Sequence, residues 1–227
     1  MARSRSRVIS LVVLDAAGQP AAGFDLPGNP PENCALAAAC KALGAHFGYD
    51  ALVLEAPVKL RRGASAGGLP PEHAVVFHGI RMTAGMTVIF DPAGALPLER
   101  NLWLDSTLLT IVSRTLVSPA RLRLLREREI SYTFADSHLD DYAPGLISLR
   151  SDFGLRRLLL CGEGLCAYCV RNGMADELHV LMATTQKGQA TAAARAFLER
   201  ELAMGAPLEE RELSAGISIA SCRLRRA

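Results

Sequence analysis

Short runs of Val, Ile and Leu recur along this chain, and most are followed by a turn and then a helical stripe. That alternation constrains the fold more than any other feature. A strand buried on both faces reads as an unbroken apolar run, and such strands belong to parallel sheets covered by helices. Val8–Leu14, Asp50–Leu54, Met86–Phe90, Leu108–Val112, Ile130–Phe134, Arg157–Leu160 and Asp176–Met182 are runs of this kind. Val75–Phe77 is a shorter candidate, and Gly216–Leu224 can form a terminal strand.

The segments between them carry helix signals. Asn29-Pro-Pro-Glu32 is a cap, a proline in the first turn and a glutamate three residues after the cap; Leu36, Cys40, Leu43 and Phe47 then form one stripe. Ser118-Pro119 opens a helix with Leu122 and Leu125 inward and Arg121, Arg123, Arg126 and Arg128 on an exposed face. Asp140 or Asp141 caps a third, whose stripe is Tyr142, Leu146, Leu149 and Phe153. A fourth follows Cys161-Gly-Glu-Gly164 and runs to about Asn172; a fifth spans Thr191–Met204. Lys59–Pro71 is Gly-rich and basic and reads as a mobile loop. The expected architecture is α/β, three-layered, with a mostly parallel central sheet and helices on both faces. No repeat or linker divides the chain, so residues 1–227 are expected to form a single domain.

Composition removes several classes of function. With 50% hydrophobic and 21% charged residues, this is not a disordered chain. A net charge of +2 and 5% aromatics supply neither the basic stripe nor the stacking surface of a nucleic-acid binder. No apolar stretch approaches the ~20 residues needed to span a bilayer. The basic start followed by Val8–Leu14 resembles a signal peptide only superficially. The run contains Ser10, stops at Asp15 and lacks a small-x-small cleavage site, so it reads as the first strand. Cys166-Ala-Tyr-Cys169 has no second pair or matching histidines. The six cysteines therefore read as small buried residues of a reduced, cytoplasmic protein. His46, His73, His78, His138 and His179 show no ligand spacing, so no metal is expected, and His179 reads as a satisfied core histidine.

Chemistry concentrates in Leu158-Leu-Leu-Cys-Gly-Glu-Gly-Leu165. A buried strand ends in a glycine-rich turn where a helix begins. Unpaired N–H groups at a helix start attract anions, and glycine lets a phosphate approach the backbone. The full G-x-G-x-x-G spacing is absent, so this is no standard dinucleotide fingerprint.

The flanks add more. Gly154-Leu-Arg-Arg157 precedes the strand, and Gly173-Met-Ala-Asp-Glu-Leu178 follows the helix. Val13-Leu-Asp-Ala-Ala-Gly18, Tyr49-Asp-Ala-Leu-Val-Leu54 and Val88-Ile-Phe-Asp91 lie upstream in the same order. Together these segments resemble the C-terminal reductase domain of the bifunctional riboflavin-biosynthesis deaminase/reductase and its stand-alone relatives. The resemblance implies a dihydrofolate-reductase-like fold, NADPH as cofactor, hydride transfer to a ribosylaminopyrimidine phosphate, and a homodimer. It implies that Gly162, Glu163, Gly164 and Leu165 cradle cofactor phosphate, with Val58 and Asp91 as further cofactor positions. Asp15, Lys59, Arg61, Arg62 and Leu160 are the implied substrate positions.

The chain also departs from that pattern. Leu160 stands where the family usually has a substrate-contacting Glu, and Glu163 is its candidate replacement. The family's Gly-Ala-Gly-Thr-like turn reads Glu55-Ala-Pro-Val58, and the expected lysine is Gln19. These departures keep two alternatives open: a pterin reductase acting on a dihydromethanopterin- or dihydrofolate-like ring, or a nucleotide-binding relative that no longer reduces anything. Individual residues carry plain readings as well. Asp15 and Asp91 end strands and can cap turns. Glu163 suits a helix N-terminus electrostatically. Asp176 and Glu177 sit at a strand entry.

Overall fold

A computed structural model describes residues 7–15, 17–20, 43, 47–55, 69, 75–79, 86–96, 108–135, 141–184, 186–202, 207–214 and 216–224. The chain divides into two compact units. One is built from Asp50–Arg156, the other from Arg7–Tyr49 together with Arg157–Ala227.

The first unit carries strands β2 (Ala51–Glu55), β3 (Met86–Phe90), β4 (Leu108–Ser113) and β5 (Ser131–Ala135). All are parallel, paired β2 to β3, β3 to β4 and β4 to β5. Their near-total burial is what unbroken apolar runs require. Helix α1 (Pro119–Glu127) starts where expected: Ser118 Oγ accepts the Arg121 amide at 3.2 Å, and proline fills the first turn. Helix α2 (Ala143–Ser151) approaches the sheet closely at Gly145, where a Cβ would come within 2.9 Å of Ile111 and Phe90. Ile111 and Phe90 are register partners and so share a face. Arg126 of α1 donates to Tyr132 Oη at 2.8 Å, and Tyr132 points to the opposite face. Helices thus cover both faces of this unit.

The second unit carries β1 (Arg7–Leu14), β6 (Arg157–Cys161), β7 (Glu177–Ala183), β8 (Glu209–Ser214) and β9 (Ile217–Arg223). β1 lies between β6 and β7, parallel to both; β9 runs antiparallel to β7 and carries β8 at its edge. Helix α3 (Glu163–Arg171) packs on β1 and β6, and α4 (Gln189–Leu202) on β7 and β9. Phe47 packs against His179, with ring centroids 4.6 Å apart.

Several expectations need correction. Val75–Phe77 forms no strand: Phe77 makes an isolated antiparallel bridge to Tyr132, and Val75 is exposed. The edge strand β8 has no counterpart in the apolar pattern, because Glu209, Glu210, Arg211 and Glu212 occupy it. Helix α4 begins two residues before the expected Thr191. The α2 cap position is Tyr142, with Asp141 Oδ1 accepting the Ala143 amide at 3.1 Å. Nor are the α1 arginines simply a solvated face. Arg121 is largely buried, donating to the Leu96 carbonyl beside Asp91, and Arg126 is held by Tyr132. The helix expected after Asn29 and the basic loop after Lys59 fall mostly outside the described residues.

Candidate active site

The carboxyl ends of parallel strands are where ligands gather in open α/β sheets. In the second unit, β6 ends at Cys161 and α3 starts at Glu163, with Gly162 as the cap residue between them. Gly162 has φ 139° and ψ 134°, a conformation L side chains rarely adopt. The cap residue makes no side-chain hydrogen bond to this helix. The Cys166 amide is the first to bond within the helix, to the Gly162 carbonyl at 3.0 Å. The amides of Glu163, Gly164 and Leu165 therefore have no acceptor inside the helix. Gly164 is exposed and has no Cβ to obstruct a phosphate, while Leu165 anchors the turn with its side chain fully buried. This donor set fits the diphosphate of a dinucleotide: adjacent N–H groups, positive helix dipole, glycine on the approach side.

The acidic first residue does not fill the cradle. Glu163 Oε1 accepts from Arg200 Nη2 of α4 at 2.7 Å. Arg200 Nε donates to Glu201 Oε1 at 2.7 Å, and Glu201 Oε2 lies 3.0 Å from Arg171 Nε. Hydrogen bonding to Glu201 chiefly, with Glu163 assisting, holds the Arg200 pKa above its ordinary value despite partial desolvation.

The other sequence candidates have mixed placements. Leu160 exposes nothing; its side chain belongs to the core and offers a substrate no surface as it stands. Asp15 closes the turn after β1, its Oδ1 accepting the Ala17 and Gln19 amides at 2.8 and 2.9 Å. Asp91 is buried at the end of β3, where its two oxygens accept the Ala95 and Leu96 amides at 2.8 and 2.9 Å. Both aspartates thus perform the turn capping that their positions allow. Val58, Lys59, Arg61 and Arg62 lie outside the described residues. The structure groups Gly162, Glu163, Gly164 and Leu165 at one rim of the second unit and places Asp15 at the end of the neighbouring strand β1 in the same unit. Asp91 belongs to the first unit.

Asp176 and His179 of the second unit bind partners within the protein. Asp176 Oδ2 accepts the Val8 amide at 2.7 Å, tying the start of β7 to β1. His179 is buried, with Nδ1 2.7 Å from Ser221 Oγ and Nε2 3.3 Å from Glu177 Oε2. Burial lowers its pKa, outweighing the Glu177 carboxylate. Cys161, Cys166, Cys169 and Cys222 are buried and outside any disulfide. Among the described residues no group of three His, Cys, Asp or Glu is arranged to hold a metal ion, and no helix is long and apolar enough to cross a membrane.

Two residues that shape this rim escaped the sequence reading. Arg200, 37 positions from Glu163, draws its carboxylate aside. Glu210, 22 positions from Gly188, closes the start of α4. Neither pairing leaves a local sequence signal, because both depend on how α4 and β8 dock.

No family model matches the chain, and no curated protein matches it by sequence. Solved structures do match its fold. The riboflavin biosynthesis reductase Rib7 of Saccharomyces cerevisiae is similar with a TM-score of 0.59 at 10% identity, over 99% of this chain and 92% of that one. A pyrimidine reductase-like protein of Corynebacterium diphtheriae gives 0.57 at 10% identity, over 98% and 93%. RibD of Acinetobacter baumannii gives 0.56 at 17% identity over 99% of this chain, which spans 59% of that longer protein. Over nearly its whole length, this chain carries the dihydrofolate-reductase-like α/β fold of the riboflavin-biosynthesis reductases.

Proposed function

We propose that this chain is an NADPH-dependent oxidoreductase similar to 5-amino-6-(5-phosphoribosylamino)uracil reductase, transferring hydride to a ribosylaminopyrimidine-type substrate. The observation that carries this reading is the uncapped, glycine-flanked start of α3 at the carboxyl end of β6. It is supported by the fold likeness to Rib7 and by sequence segments that keep the family order. When bound, the cofactor supplies the hydride. The chain's own contribution is positional: the Glu163, Gly164 and Leu165 amides hold the diphosphate, and the buried Leu160 and Leu165 side chains fix the turn that presents them. We read residues 1–227 as one reductase domain working as a cytoplasmic homodimer.

A second reading is a relative that binds the nucleotide without reducing a substrate. Leu160 supplies no carboxylate, and the Asp15, Asp91 and Glu163 carboxylates all accept hydrogen bonds from groups within the protein. A pterin reductase is the other alternative, since the departures at Leu160 and Val58 alter the substrate and cofactor positions alike.

Fluorescence titration of the pure protein with NADPH tests the cofactor. Loss of reduced-nicotinamide absorbance on adding aminopyrimidine ribosyl phosphates or dihydropterins then tests the reaction. Binding with turnover of the pyrimidine is the expected result. Turnover of pterins alone moves the substrate class, binding without turnover of either favours the non-catalytic relative, and no binding removes the reading altogether.

A further inference from the structure

The ion pair beside the amide cradle has a consequence beyond stability. Glu163 is the first residue of α3, and a carboxylate there is attracted to its own helix terminus. Left to itself it competes with any anion for the positive potential of the cradle. Instead Arg200 binds it from α4 at 2.7 Å, and Arg200 is itself fixed by Glu201, which also meets Arg171. The arginine also lies 5.2 Å over the Phe197 ring, so its stem and head are both located.

We propose that Arg200 is a positioning residue for cofactor binding: it neutralises the Glu163 carboxylate and holds it off the α3 amides, leaving them available for the diphosphate. This rests on the cofactor reading above. Glu163 takes part through its main-chain N–H alone, and its side chain is the group to be kept away. Both partners are partly exposed, with side-chain accessibilities of 56% and 39%, so the effect is modest and salt-sensitive.

The test is NADPH titration of the full-length protein at low salt, using wild type, Arg200→Gln, Arg200→Lys and the double variant Glu163→Gln/Arg200→Gln. Thermal denaturation of each confirms folding. Arg200→Gln is expected to weaken NADPH binding about twofold to fivefold, the influence of one charge at a helix end. Arg200→Lys keeps most of the affinity, and the double variant regains it, because the competing carboxylate is gone. The Arg200→Gln deficit shrinks in high salt. A merely structural ion pair predicts the opposite for the double variant, which then binds no better than Arg200→Gln. That result, or Arg200→Gln binding like wild type, overturns the inference while leaving the cofactor reading intact. A wild-type protein that does not bind NADPH overturns both.

Discussion

The second unit contains two helix starts that solve the same problem differently. Helices α3 and α4 each begin with unpaired amides that need acceptors. At α4 the protein supplies one: Glu210 of β8 accepts the Gly188 amide through Oε1 and the Thr191 amide through Oε2, both at 2.8 Å. At α3 the cap residue supplies no side-chain bond to the amides, and the helix's own first residue, Glu163, is bound to Arg200 instead. A helix start filled by the protein's own carboxylate is a structural joint, whereas one kept clear of it is suited to an external anion. Glycine does not separate them, since exposed Gly188 at the α4 start has open space around it just as exposed Gly164 lies at the α3 start; the bound carboxylate is what differs.

The largest expected effect comes from Gly162→Ala. At φ 139° a side chain forces strain of about 1–3 kcal/mol, or moves the turn. Urea unfolding is expected to show that loss, together with weaker NADPH binding. A variant as stable as wild type would mean that the turn does not need glycine.

Next in size is Glu210→Ala, which removes the acceptor for two amides. Loss of such a cap costs about 0.5–2 kcal/mol. The variant should also be stabilised by inorganic phosphate more than wild type is, since α4 then has a second open start. Equal phosphate responses in the two proteins would show that α4 never resembled an anion site.

The smallest effects are read from pH. Desolvation opposes the Glu210 charge, but hydrogen bonds from Thr191 and Gly188 together with Lys187 outweigh it, so its pKa is lowered. A lowered carboxylate stabilises the fold above its unfolded pKa, and that contribution is lost as pH falls through the folded value. Glu210→Gln should therefore flatten the acid limb of a stability–pH curve. His179, remote from both helix starts in sequence, acts at higher pH. Its folded pKa lies below the ordinary 6.5 because of burial, so protonation favours the unfolded chain and stability declines as pH drops below that value. His179→Gln should remove this step and leave the Glu210 step in place. Persistence of the histidine step in that variant would assign it to another group.

Much of this architecture is legible in the residues. Apolar runs such as Met86–Phe90 and Leu158–Cys161 announce buried strands because nearly every side chain in them is apolar, Thr87 excepted. Ser118-Pro119 announces a helix start because the cap bond is local. The Cys161–Leu165 turn was readable for the same reason: its glycines and the helix after it are neighbours in sequence. Strand β8 was not legible, since its Glu-Glu-Arg-Glu pattern carries no apolar period and only pairing with β9 makes it a strand. Arg121 was misread as exposed because its partners, Leu96 and Asp91, lie 25 and 30 positions away.

By itself the sequence determined which segments are buried strands, where helices start, and that one glycine-rich turn follows a strand. These depend on period, propensity and capping, all short-range. Tertiary structure alone decided which helix start stays clear. That choice depends on whether a distant side chain, Glu210 or Arg200, reaches the amides or pulls a carboxylate away from them. Such contacts form only when β8 and α4 dock, because an ion pair or cap across tens of residues has no local energy to mark it.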